Sequence, residues 1–390
     1  MKGIVFRLFF ILILPCIFSG YAAAAESKLV EKVLPIGKVH SDWEIHTPSV
    51  KISPDSTRIT YVTRKNKKFV VVENGRLSPE YDGIGKDTPV FSPDSKHMVY
   101  IAKKVADWLV VRDGRESTGY DGVFELAFSP DSKRLAYVAK KNDKQFVVVD
   151  GEKGPACDAI PSKMKSPLFS PDSAHMAYVA IVNKKMFMVR DGQKGIGYDV
   201  ISAPMYSSDS SRLSYIAKQG NQFFLVENGQ AGSGYDRISV CSYSPDSRQL
   251  AYSAKKGDKW FMVINGKAGP PYEGVAIAVF SPDSSRVAHL AMKDKKEIMV
   301  VDGREGPAFE QLGFLSFSPD SRHVAYSAME KGKGFMMVDG KAAGKYDSIL
   351  VPVYSPDSSH LAYAVKKSGK WKAVRDGVEG PAYDKITIPQ

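Results

Sequence analysis

The sequence predicts an all-β chain of four-stranded antiparallel blades, a β-propeller, and three observations carry that expectation. A Ser-Pro-Asp-Ser phrase recurs nine times, opening at residues 53, 92, 129, 170, 207, 244, 281, 318 and 355. The last five intervals are 37 residues each and the earlier ones 39, 37 and 41, a period that marks a solenoid or a propeller. Between the phrases lie apolar runs of strand length, rich in Val, Ile, Tyr and Phe, with no helical periodicity.

One copy shows the elements in order. "AIAVF" (276–280) precedes the Ser-Pro-Asp-Ser turn and "RVAHLAM" (286–292) follows it. A lysine cluster leads to "EIMVV" (297–301), and "GPAFEQL" (306–312) is expected to close the unit. Proline presets φ at the second turn position, and the Asp side chain can bind nearby amides. The fifth copy reads Ser207-Ser208-Asp209-Ser210, so the proline is dispensable while the Asp stays. All nine copies carry Asp-Gly or Asn-Gly after the third run, from Asn74-Gly75 to Asp376-Gly377, the strongest short hairpin signal. Each unit is therefore a four-stranded meander.

Such a meander cannot bury both faces alone, and stacking copies around an axis does so. A large apolar residue precedes every phrase: Ile52, Phe91, Phe128, Phe169, Tyr206, Tyr243, Phe280, Phe317 and Tyr354. Inter-blade packing needs such a group in every first strand.

"FSPDS" followed by "LAYVA" and "FVVVDG" within 128–151 resembles the WD40-like repeat of TolB-type propellers, which also occurs in the non-catalytic domain of prolyl oligopeptidase relatives. The resemblance covers residues 50–390 and implies a fold, not a role, because this fold hosts many activities. The chain departs from TolB in its number of repeats, in lacking room for a preceding α/β domain, and in placing Ser where that family has Gly at the fourth turn position. Nine copies imply nine blades, or eight with a displaced terminal copy. "SDWEIHTPSVKI" (41–52) resembles the end of a repeat and is expected as a closing strand added to the last blade.

Residues 1–25 read as a secretory signal peptide. Lys2 and Arg7 flank "LFFILILPCIF", and small residues follow, with cleavage expected after Ala25. The expected organisation is thus a leader (1–25), a lead segment (26–49) and a propeller (50–390), exported to the periplasm or the exterior. No later segment is apolar enough to cross a membrane. The chain carries 54 Lys and Arg against 43 Asp and Glu, and removing Lys2 and Arg7 leaves +9. For an exported protein this excess points away from nucleic acid and toward an anionic envelope component or an acidic protein, or simply toward solubility. Only Cys157 and Cys241 follow the leader, in different repeats, and both read as small buried residues, not as a disulfide framework.

Repeat geometry in the resembled family places the strand-two/strand-three turns and the inter-blade connections on one face, and the Ser-Pro-Asp and Asp-Gly turns on the other. A ring of lysines then gathers on the first face. Lys67, Lys104, Lys141, Lys185, Lys218, Lys256, Lys296, Lys333 and Lys367 form the candidate binding face. Lysine at exposed hairpin tips also serves solubility and resists edge-to-edge pairing. A second column runs through Tyr81-Asp82, Tyr120-Asp121, Cys157-Asp158, Tyr198-Asp199, Tyr235-Asp236, Tyr272-Glu273, Phe309-Glu310, Tyr346-Asp347 and Tyr383-Asp384, and its strict repetition argues for a structural task. His97, His175, His323 and His360 share a column with arginines, and the ring holds them apart, so no metal or other cofactor site is expected. No G-x-S-x-G elbow, H-E-x-x-H or phosphate loop is present. The expected function is a non-catalytic, monomeric scaffold that binds a protein or peptide. Binding of an anionic polymer or lipid through the lysines is the alternative, and a channel-mouth hydrolase a distant third.

Overall fold

The computed structural model describes residues 44–385 apart from 163, 165 and 166. The expected leader and the lead segment up to residue 43 lie outside the described residues. The described residues form nine antiparallel sheets in chain order and no helix. These blades span 44–77, 83–116, 122–153, 168–198, 200–235, 237–272, 274–309, 311–346 and 348–383. First strands of neighbouring blades touch, which makes them the hub side, and the fourth strands form the outer edges. This is a β-propeller architecture with nine blades.

The seventh blade shows how local chemistry sets the strands: Gly274–Phe280, Val287–Lys293, Lys296–Val301 and Arg304–Phe309. The fourth strand starts earlier than the 306–312 expected, because Asp302 (φ 51°) and Gly303 (φ 77°) reverse the chain in two residues and Val301 pairs at once with Arg304. Gln311 and Leu312 belong to the next blade. Asp302 Oδ1 also accepts the Val287 N–H at 2.9 Å, tying the turn to the second strand. The Ser-Pro-Asp turn works the same way: Ser281 Oγ donates to Asp283 Oδ1 at 2.7 Å and accepts the Arg286 N–H at 3.0 Å. Ser207-Ser208-Asp209-Ser210 keeps these bonds without proline. There the Ser207 hydroxyl, with the Ser211 N–H and hydroxyl, holds Asp209 down at about 2.

The fourth serine explains the departure from glycine. It has a positive φ in every blade, from 59° at Ser56 to 67° at Ser132 and Ser173, a conformation in which glycine costs nothing. Serine pays back the strain through its hydroxyl. Ser95 Oγ accepts the N–H of Asp55 in the preceding blade at 3.0 Å, and the same bond recurs at all eight junctions, ending with Asp320 N–H to Ser358 Oγ at 2.9 Å.

Burial follows from strand alternation. Val99, Ile101 and Val110 of blade two pack on Leu135, Tyr137 and Ala139 of blade three, and Ala136, Val138 and Val147 of blade three pack on Met176, Tyr178 and Ala180 of blade four. The aromatic preceding the phrase is roofed by an arginine of the blade before in blades two to six and eight, as Arg58 lies over Phe91 and Arg286 over Phe317. Ile52 has no such roof and is 60% exposed.

The closing-strand expectation for 41–52 is corrected here. Glu44–Ile52 is the first strand of the first blade, paired with Ile59–Lys65. The ninth blade completes itself with Val378–Tyr383, so it offers no vacant fourth position. Its face turned away from the eighth blade, with Ala362 and Ala373, is exposed. Among the described residues no bond from Asp357 to Ser56 repeats the serine link.

Candidate functional site

The lysine column and the Tyr-Asp column meet at one end of the blades, and the structure makes most of their contacts internal. Tyr81, Tyr120, Tyr198, Tyr235, Tyr272 and Tyr346 are buried at the junctions, most of them edge-on to a tyrosine of the next blade. The adjoining carboxylate is a staple. Asp199 takes the Lys185 ammonium at 2.5 Å on one oxygen and the Gly220 N–H of the next blade at 2.7 Å on the other. Both bonds, the lysine first, hold Asp199 below the usual carboxylate range. Asp82, Asp158 and Asp347 do the same with Lys68, Lys144 and Lys333.

Six of the nine candidate lysines are thereby engaged: Lys104 with Glu116, Lys141 with Asp107 and Asp121, Lys185 with Asp199, Lys296 with Glu330, Lys333 with Asp347 and Lys367 with Glu379. Lys218 lies over the Phe223 ring at 5.4 Å. Lys67 and Lys256 meet no carboxylate among the described residues. The histidine column is internal as well: His97, His175, His323 and His360 each bond the Asp of their own Asp-Gly turn through Nδ1, at 2.6–2.7 Å. Among the described residues no group of three His, Cys, Asp or Glu is placed to hold a metal.

The place where the blades differ is the middle of the first strand. Register with the second strand slips there, between Phe124 and Ala127, Ile238 and Cys241, Val275 and Ala278, and Gly313 and Leu315. The residues left without a partner form bulges in the first strand, on the hub side of the blades. At or beside the slip stand Lys86 and Asp87 in blade two, Phe124 and Glu125 in blade three, Ser202 and Ala203 in blade five, Ala276 in blade seven, Phe314 in blade eight and Val351 in blade nine. Among the described residues, only blades two and three put carboxylates at these positions.

Those two blades enclose a cleft of about 490 Å³ lined by Trp108, Phe124, Leu126, Lys86, Asp87 and Glu125. A neighbouring cleft of about 440 Å³ lies on the other side of the Gly85–Thr88 loop, against His46, Pro48 and Phe69. The Thr88 hydroxyl closes this loop on the Gly85 carbonyl at 2.7 Å, and Asp87 sits at φ 62°. Glu125 sits at φ 50°. Partial burial, with the Asp87 charge added, pushes the Glu125 carboxyl above its ordinary range. The cleft thus joins an apolar floor to two carboxylates that repel each other and one ammonium. Sequence reading missed these residues because it followed the repeating columns, whereas the signal was the segment where the repeats disagree.

His46, Ser49 and Asp87 around the second cleft have the composition of a hydrolase triad without its geometry. The buried Ser49 hydroxyl donates to the His46 carbonyl at 2.5 Å, not to the ring, and accepts the Val62 N–H at 2.8 Å.

No family model and no curated protein matches the chain. Among solved structures it is similar to a eukaryotic initiation factor (16% identity, 85% of this chain and 97% of that one, TM-score 0.39). It is also similar to TolB from Acinetobacter baumannii (14%, 66% and 77%, TM-score 0.27). A third is the β-propeller domain of the Trilobed protease from Pyrococcus furiosus (13%, 66% and 94%, TM-score 0.30). These likenesses concern the fold alone. The class is set by the nine blades themselves: a β-propeller repeat protein.

Proposed function

We propose that the chain is an exported, non-catalytic scaffold that binds a protein or peptide partner at the hub-side cleft between blades two and three. One observation carries the reading: among the described residues only blades two and three put carboxylates at the first-strand slip, and there they line a cleft with an aromatic floor and a charged lip. Aromatic anchors beside a few polar groups are the composition of a recognition site. The lysine face, expected from sequence as the binding surface, is less suited to the task because six of its nine lysines are spent on carboxylates of the chain. The bonding of Ser49 supports a non-catalytic role, and export rests on residues 1–25.

The test is a photoreactive phenylalanine analogue placed at Phe124 and, as a control in blade eight, at the exposed Phe314. A single protein captured at Phe124, and lost when Asp87→Asn is combined with Glu125→Gln, is the expected result. The same adducts from both positions would sink the assignment, and so would turnover in a hydrolase substrate screen.

A further inference from the structure

Charge neutralisation at the lysine-bearing end is uneven around the blades. In each of blades two to four and seven to nine at least one hairpin lysine meets a carboxylate. Blades five and six differ. Gln222 stands where the third strands of blades one, three, four, eight and nine open on the lysine that holds the corner carboxylate, so among the described residues Asp236 keeps only the Gly257 N–H, at 2.7 Å. Lys259, the equivalent residue of blade six, meets no carboxylate among the described residues. Neither do Lys218, Arg237, Lys255 and Lys256.

Arg237 and Lys255 are direct cross-strand partners, a like-charge pair that the sheet must hold against repulsion. Five cations here share the end with three carboxylates, Asp236, Asp258 and Glu273, and Glu273 already accepts the Lys295 N–H of the next blade at 3.1 Å. Half-buried Trp260 lies beside Lys255 in register, and half-buried Phe223 beside Lys218, so apolar rings sit among the charges.

We infer that this two-blade sector is a docking surface for an acidic peptide segment of a protein partner. It is separate from the hub cleft and does not depend on it. A short chain of carboxylates neutralises the sector, and its intervening side chains contact Trp260 and Phe223. A flat anionic surface such as a membrane would instead be met by the hairpins of many blades, where Lys104, Lys141, Lys185, Lys296, Lys333 and Lys367 are already paired. An acidic segment needs only the width of two blades.

The experiment is fluorescence anisotropy of a labelled hexaglutamate peptide against the full chain. Binding should weaken steeply with added salt. Lys255→Gln combined with Lys256→Gln should lower affinity about tenfold, whereas Lys140→Gln combined with Lys141→Gln in blade three should change it less than about twofold. If the blade-six double variant fails to fold, Lys256→Gln alone should cost about threefold. Three results would overturn the proposal: no binding by the unaltered chain at low salt, equal losses in the two double variants, or phosphatidylglycerol vesicles binding through this sector more tightly than the peptide.

Discussion

Blades eight and nine contain the same strands, yet equivalent residues meet different fates. Met336 is buried and Tyr346 is 4% exposed, while their counterparts Ala373 and Tyr383 face solvent, Tyr383 at 51%. Val71, Val110, Val147, Met188, Leu225, Met262 and Met299 fill the Met336 position in the other blades, all buried. Only the ninth has alanine there. A repeat position is core when another blade follows and surface when none does, and the last blade has shed its apolar bulk accordingly, as terminal repeats do.

The largest effect should come from deleting the same side chain in both settings. Tyr346→Ala is expected to cost about 3–5 kcal/mol, and Tyr383→Ala under about 1 kcal/mol, read as shifts in urea midpoint. Equal losses would mean that the ninth face is covered in solution.

Next is a junction with an altered residue. His289 replaces the tyrosine of its column, is 7% exposed, and lies edge-on to Tyr272 with neither ring nitrogen hydrogen-bonded. Burial brings it from 6.5 down to about 4. As pH falls through 6.5 the unfolded chain takes up a proton that the folded chain refuses until pH 4. Stability is therefore full above 6.5 and drops by roughly 3 kcal/mol on the way to pH 4. His289→Phe should flatten this dependence in urea titrations across that range, and an unchanged slope would refute it.

The smallest contrast concerns the serine link. Ser132 Oγ accepts the Asp94 N–H at 2.9 Å, so Ser132→Ala should cost about 1 kcal/mol. Ser56 is exposed and receives no such bond, and Ser56→Ala should be neutral. Thermal melts of the two variants check the difference, and coincident melts would remove the hydroxyl from the account of blade stacking.

Much of this was legible in the residues. Asp302-Gly303 and the Ser281-Asp283 pair announce their turns because both act within a few residues of chain. The Tyr-Asp column was readable as structural from its repetition alone. The clefts were not legible, because Asp87, Phe124 and Glu125 are brought together by a register slip that repeat alignment treats as noise. Nor could the lysine column show that Lys141 is bound on two sides while Lys256 is free of carboxylates, since the partners of Lys141 lie about 20 to 34 residues away.

By itself the sequence determined the blade. Its turns and strand alternation rest on φ preferences and side-chain hydrogen bonds that reach only a few residues. Tertiary structure alone decided which faces became core, which lysines were neutralised and where the hub opened into a cleft. Burial and ion pairing depend on what the neighbouring blade presents across the junction, and no single repeat contains that information.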